Sequence, residues 1–209
     1  MAHQLIVAGI GPGSRDYILP RAAEAVRRAR YLAGSRRALK EYAAGAGQQV
    51  CPITGQLEEL KKWIAEALCQ DDVAVMVSGD PGYYSLLPWL KREFPHVPME
   101  VIPGISAVQA AFCRLGEPWQ GADLLSFHGR IPPAEKLEYR AGRVLSFLTD
   151  RIHNPAYICR CLLDHGWPEE AAVSVLEHIS YPDERRRDAT LAEGCRIEGF
   201  YESVMVVRR

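Results

Sequence analysis

Short β-rich runs that stop at a glycine turn and lead into a helical pattern recur through the first half of this chain, and no other feature limits its fold so tightly. Residues 4–8 (QLIVA) run into glycines, after which Leu19, Ala22, Ala23, Val26 and Ala29 fall on one helical face. Pro20 suits the first turn of that helix, where its missing N–H is not needed. Leu57, Leu60, Ile64 and Leu68 mark a second amphipathic helix. VAVMV at 73–77 is continuously apolar, as a strand covered on both faces requires. MEVI at 99–102 reads as a further strand, followed by a helix over about 106–115 that Ser106 caps and Gly116 stops. Repeated strand-then-helix order predicts an α/β fold with a mostly parallel sheet and helices on its faces.

The pattern changes near residues 116–121 (GEPWQG). Beyond them, strand-like segments stand at 123–127, 143–148, 173–177 and 204–209, with one clear helix over 155–164. A boundary at about residue 119 therefore divides the chain into an N-terminal α/β domain, 1–119, and a C-terminal α/β domain, 120–209. No repeat or low-complexity segment interrupts either part. Arg27-Arg28 and Arg36-Arg37 read as solvated surface, and Arg185-Arg186-Arg187 falls in a stretch that reads as irregular.

Composition narrows the partners. Of 209 residues, 48% are hydrophobic and 24% charged, which is ordinary globular material. A net charge of −1 argues against a duplex nucleic acid or an anionic membrane held by bulk charge. No apolar run approaches the roughly 18 residues of a membrane span. The start, MAHQLIVAGIGPG, lacks the basic and apolar regions of a secretory signal, so a cytoplasmic protein is expected. None of the six cysteines forms a CxxC pair, and Cys159 and Cys161 point to different sides of their helix. Free thiols in a reducing compartment, and no metal site, are expected.

The glycine turns carry the chemistry. Gly9-Ile10-Gly11-Pro12-Gly13-Ser14 invites comparison with a dinucleotide fingerprint, but Ser14 stands where a glycine is needed and Pro12 removes an N–H. A phosphate-binding P-loop fails too, since no GK[ST] follows. What is left is a rigid turn that lets a large ligand approach the backbone. Residues 78–85 (SGDPGYYS) follow a buried strand directly, where ligands bind in parallel α/β folds. Asp80, held extended before Pro81, either faces a ligand or satisfies backbone N–H groups of the turn. Pro103-Gly104-Ile105-Ser106-Ala107 repeats the arrangement, and three such loops point to one shared crevice.

GIGPGS, SGDPGYYS and PGISAVQAAF, in this order and spacing along essentially the whole chain, resemble the tetrapyrrole methylases. The resemblance implies two α/β domains with a cofactor cleft between them, and methyl transfer from S-adenosyl-L-methionine to a precorrin of the cobalamin route. PGISAVQAAFCRLGEPWQGADLLSFHGR, LTDRIHNPAYI and SYPDERR look most like the branch that methylates C5 of a precorrin or cobalt-precorrin, in its form without a second methyltransferase domain. Carried over by motif, Gly79, Asp80, Tyr83, Ser106 and Ala107 hold the cofactor, joined by Leu148 and Leu176, while Gly11, Pro12 and Gly13 lie on the substrate side. The C-terminal SVMVVRR departs from the family's pattern and is left without a role. Because the family commonly pairs, a homodimer is expected.

Such a transfer needs alignment and exclusion of water more than acid–base machinery, because the methine carbon is already enamine-like. The substrate's carboxylates do need cations, and guanidinium suits them best. His128 and Arg130 (SFHGR) and Arg185 and Arg186 are the candidates, with Arg15 and Arg151 read as solvated. Against this stand another ring position, a nicotinamide-dependent oxidoreductase read from the first glycines, and a non-catalytic ligand sensor.

Overall fold

The computed structural model describes residues 3–43 and 47–209. Its contacts divide between Ser106 and Ala107 into two compact units.

The first unit is a five-stranded sheet in the order β3-β2-β4-β1-β5, formed by β1 (Leu5–Gly9), β2 (Tyr31–Gly34), β3 (Gln49–Pro52), β4 (Val73–Val77) and β5 (Met99–Ile102). Every pairing is parallel. Helices α1 (Pro20–Arg28), α2 (Arg36–Tyr42), α3 (Leu57–Leu68) and α4 (Leu87–Glu93) complete it. Period-two alternation explains the continuous apolar strand. Val73, Val75 and Val77 join Leu60, Ile64, Leu90 and Phe94 in one core, while Ala74 and Met76 join Ala22, Val26 and Ala38 in another. Pro20 opens α1 as expected. The sequence reading passes over β2, α2, β3 and α4. Each is seven residues or fewer, and β3 at the sheet edge is largely exposed, so it lacks an apolar alternation to find. Arg27 and Arg28 pair with Glu24 on the surface, at 2.8 and 3.8 Å.

The second unit begins with α5 (Ala107–Leu115), whose contacts are with β7 and β10. This is why the units part at Ser106, whereas composition placed the change near residue 119, beyond α5. Its sheet runs β6-β7-β10-β8-β9, from β6 (Ala122–Ser126), β7 (Val144–Leu148), β8 (Ala172–Glu177), β9 (Arg185–Thr190) and β10 (Ser203–Arg208). Only β6 with β7 is parallel. Helices α6 (Pro155–Asp164) and α7 (Leu191–Gly194) cover one face, over Leu145, Phe147, Val173, Val175 and Met205. One expectation is corrected. The stretch holding Arg185-Arg186-Arg187 is regular, being the edge strand β9 with its first four residues exposed. Charges on a solvent-facing edge discourage pairing with other chains and hide the strand from an apolar pattern search.

Candidate functional site

In the first unit the parallel register brings three loops to one sheet edge. Gly9 of β1 lies opposite Val77 of β4, and Ala8 opposite Ile102 of β5, so the strands end together. The loops are residues 9–14, 78–85 and 103–106. Gly11 and Gly79 exchange backbone hydrogen bonds, Gly79 N donating to Gly11 O at 2.8 Å and Gly11 N to Gly79 O at 3.3 Å. A Cβ on Gly9 would stand 2.7 Å from Gly104 N and 2.8 Å from Gly79 O, closer than side chains tolerate. Glycine at this place is a steric requirement of three backbones meeting. The three loops that the sequence reading brought together do meet within this unit.

Asp80 satisfies backbone N–H groups, the second of the two roles the sequence allowed. Its Oδ1 accepts from Gly82 N at 2.7 Å within its own loop, and its Oδ2 accepts from Gly104 N at 3.0 Å across to the next. One lone pair on each oxygen is left for a further donor. Tyr83 packs edge-on against Tyr84, with ring centroids 4.8 Å apart, and burial followed by Tyr84 pushes its phenol up, so it stays an O–H. Tyr84 sits at φ 45°, an outlier for a bulky side chain. Ser106 is buried just before α5, Ala107 is its first residue, and Gly13 O accepts from the Tyr42 hydroxyl at 3.3 Å beside Pro12. Residues 79–85 and 103–106 contain no Lys, Arg or His. Arg37 Nη2 reaches Ser78 Oγ at the start of the first of these loops, at 3.5 Å, and beyond it a cofactor carrying a sulfonium and an ammonium would meet backbone groups, a phenol and one carboxylate. The residues fit S-adenosylmethionine.

In the second unit the loops after β6 and β7 meet. Asp150 Oδ2 accepts from Gly129 N at 2.8 Å, and its Oδ1 from Ile152 N at 2.8 Å and His153 N at 2.6 Å. Burial alone would raise the Asp150 carboxyl, but the Gly129 and His153 N–H groups and the His153 ring outweigh it and hold the acid well below the usual carboxylate range. His128 is exposed, with Nδ1 3.3 Å from the Thr149 carbonyl, a contact that requires the proton on Nδ1 and turns Nε2 to other partners. Thr149 is buried, accepts from Ser203 N at 2.9 Å and donates to Tyr201 O. Arg130 is exposed on the same loop as His128.

The remaining candidates are placed differently. Arg185 pairs with buried Glu177, donates to Gly199 O at 2.6 Å and lies 4.5 Å from the Phe200 ring centroid. Arg186 pairs with Asp188 at 2.9 Å and donates to Arg114 O at 3.3 Å. Both guanidiniums are thus occupied by this chain's own acceptors. Leu148 and Leu176 flank Val204 in register; Leu176 is fully buried, and Leu148 O accepts from Phe127 N at 2.8 Å. Arg15 and Arg151 lie over the Tyr42 and Tyr201 rings at 5.5 and 5.2 Å. Sequence reasoning missed Asp150, Thr149 and Glu177. The available signal was their position at strand ends, the one criterion that did select Asp80.

The family described as Tetrapyrrole (Corrin/Porphyrin) Methylases matches residues 4–194. A cobalt-precorrin-7 C(5)-methyltransferase of Salmonella typhimurium is 33% identical over 181 residues, 87% of this chain and 88% of its own. The crystal structure of a precorrin-6Y methylase of cobalamin biosynthesis from Archaeoglobus fulgidus superposes with TM-score 0.75 at 27% identity, covering 100% of this chain and 99% of its own. A uroporphyrin-III C-methyl transferase from Thermus thermophilus, complexed with S-adenyl homocysteine, shares the fold at TM-score 0.81 and 21% identity, covering 99% and 97%.

Proposed function

The chain belongs to the tetrapyrrole (corrin/porphyrin) methylases, and from that premise we propose that it is an S-adenosylmethionine-dependent methyltransferase acting at C5 of cobalt-precorrin-7 in cobalamin biosynthesis. The observation that carries this reading is the edge where β4, β1 and β5 end together, closed by backbone contacts between glycines and with Asp80 as the charge of its two inner loops.

S-adenosylmethionine, when bound, supplies a methyl group on a sulfonium whose departure leaves a neutral thioether. The chain's own residues supply placement. Gly9, Gly79 and Gly104 let the loops close without side chains between them, and Asp80 fixes their spacing. Asp80 keeps an acceptor for a cationic or hydroxyl group, and Tyr83 stays a protonated phenol. Such fixed positions act by removing the entropy of alignment, which is worth about 7–11 kcal/mol when the reacting atoms are well oriented. Gly11, Pro12 and Gly13 present the backbone on the substrate side, and His128 and Arg130 meet substrate carboxylates. Arg185 and Arg186 pair with Glu177 at the end of β8 and with Asp188 within β9. The carbon nucleophile is enamine-like, so transfer requires no dedicated strong base.

Purified protein incubated with cobalt-precorrin-7 or its metal-free counterpart tests the reading, with product mass and methyl position read by mass spectrometry and NMR. One added methyl at C5 is expected. Methylation at another carbon would move the chain to another branch, and stable cofactor binding without turnover would make it a sensor. No described helix is long and apolar enough to cross a membrane. We further propose a cytoplasmic homodimer, in keeping with free cysteines throughout; sedimentation showing a monomer at micromolar concentration would overturn the dimer.

A further inference from the structure

Asp150 is a carboxylate whose partners are almost entirely backbone N–H groups. It takes Gly129 N from the loop after β6, and Ile152 N and His153 N from its own loop after β7. Among the described residues its one ion pair is with His153, at 3.2 Å, and its side chain is 17% exposed. A half-buried carboxylate with no guanidinium or ammonium partner among the described residues contributes shape as well as charge. The shape is specific. Gly129, at φ 67°, stands between His128 and Arg130, so fixing its N–H fixes the turn from which both side chains leave. On the other loop, N–H groups anchored at 152 and 153 push Arg151 and Ile152 outward, where Arg151 lies over the Tyr201 ring and Ile152 is 77% exposed.

Ile152 does not stand alone. Ile131 is 58% exposed and Tyr201 42%, and the three side chains lie at the ends of β7, β6 and β10, which are neighbours in the sheet. Apolar groups of this size are normally covered, and here they are interleaved with Arg130, Arg151 and His128. A flat macrocycle with apolar faces and a rim of carboxylates has the complementary chemistry. We propose that Asp150 is a positioning residue for tetrapyrrole recognition, holding the two loops so that His128 and Arg130 from one, and Arg151 and Ile152 from the other, meet the macrocycle together. The proposal rests on the reading of the chain as a precorrin methyltransferase.

Wild type, Asp150→Ala, Asp150→Asn and Ile152→Ser are titrated with a stable corrin polycarboxylate, followed by ring absorbance, and with S-adenosylhomocysteine by calorimetry. Hydrogen exchange at the Gly129, Ile152 and His153 amides reports on the loops. Corrin affinity is expected to fall about tenfold in Asp150→Ala and less in Asp150→Asn, which keeps one acceptor oxygen. Ile152→Ser should weaken corrin binding about threefold while those amides stay protected. Cofactor-product affinity should stay within about twofold in all three, and turnover of the precorrin should show a raised KM with kcat nearly kept. Unchanged corrin affinity in Asp150→Asn and Ile152→Ser overturns the assignment even if Asp150→Ala fails to fold. Parallel loss of cofactor-product affinity overturns it as well. A wild type that binds the corrin but methylates no precorrin at C5 overturns the functional reading alone.

Discussion

At the scale of single residues, two aspartates do equivalent work in the two units. Asp80 joins the loops after β4 and β5 through Gly82 N and Gly104 N, and Asp150 joins those after β6 and β7. Asp80→Ala should lower the stability of the first unit by about 1–3 kcal/mol and weaken S-adenosylhomocysteine binding, read by denaturation and calorimetry on the same sample. Unchanged cofactor-product affinity with the fold intact would leave Asp80 a purely architectural residue. The folded-state carboxyl of Asp150 is depressed, so its stabilisation is complete above its unfolded value of about 3.9 and is lost as pH falls toward the folded one. The stability gap between wild type and Asp150→Asn in urea should therefore be full near neutrality and narrow below about pH 4. A gap that does not change with pH would mean the carboxylate charge is irrelevant. Arg130→Ala should lower catalytic efficiency by about one to two orders of magnitude with cofactor affinity kept, the loss of one charge-assisted contact of roughly 1.5–3 kcal/mol. Asp80 could be picked from the sequence because it sits between a buried strand and a Pro-Gly turn. Asp150 was harder to pick, because the N–H group through which it joins the other loop, that of Gly129, lies 21 residues away and leaves no local pattern.

Elements were legible when they were long enough, or apolar enough, to set a pattern; β2, buried at all four positions, was still too short to be read. β4, buried at all five positions, announced itself, as did α3 and α6. β9 did not, because an edge strand reading RRRDAT has its signal in hydrogen bonds to β8 and not in side chains. That oversight also changed the reading of two residues. Arg185 and Arg186, judged free for substrate when their stretch seemed irregular, are drawn into pairs with Glu177 and Asp188 once the strand is in register. The turn between β1 and α1 shows the opposite case, where glycine spacing alone located three meeting backbones. Gly104→Ala tests how tightly they meet. Its Cβ would lie 2.9 Å from Gly9 C and closer still to Gly79 O, so the loops must part. A loss of about 1–3 kcal/mol, typical of overpacking, is expected in urea denaturation, with a fall in S-adenosylhomocysteine affinity. Wild-type affinity in that variant would show that the loops yield without cost to the site.

At the scale of the whole molecule, the order of strands in the first unit sets a timetable. β1 is synthesised before the other strands of its unit, yet it is hydrogen-bonded on one side to β4 and on the other to β5, with Leu5 opposite Val73 and Met99. At about 5–20 residues per second, a ribosome would leave β1 without its first neighbour for roughly 3–14 s. During that wait its apolar run, LIVAG, is an open invitation to chaperones or to other nascent chains. Chains stalled before residue 99 should be cut readily by protease within β1, and chains stalled well past residue 106 should resist, which pulse proteolysis of arrested ribosomes can measure. Equal resistance at both lengths would mean that β1 is sheltered without its second neighbour. The glycine loops inherit the same schedule. The surface proposed to hold the cofactor is made of the first and last parts of its unit, so it comes into being in one late step, and a nascent chain that stops short of residue 103 should not bind S-adenosylhomocysteine.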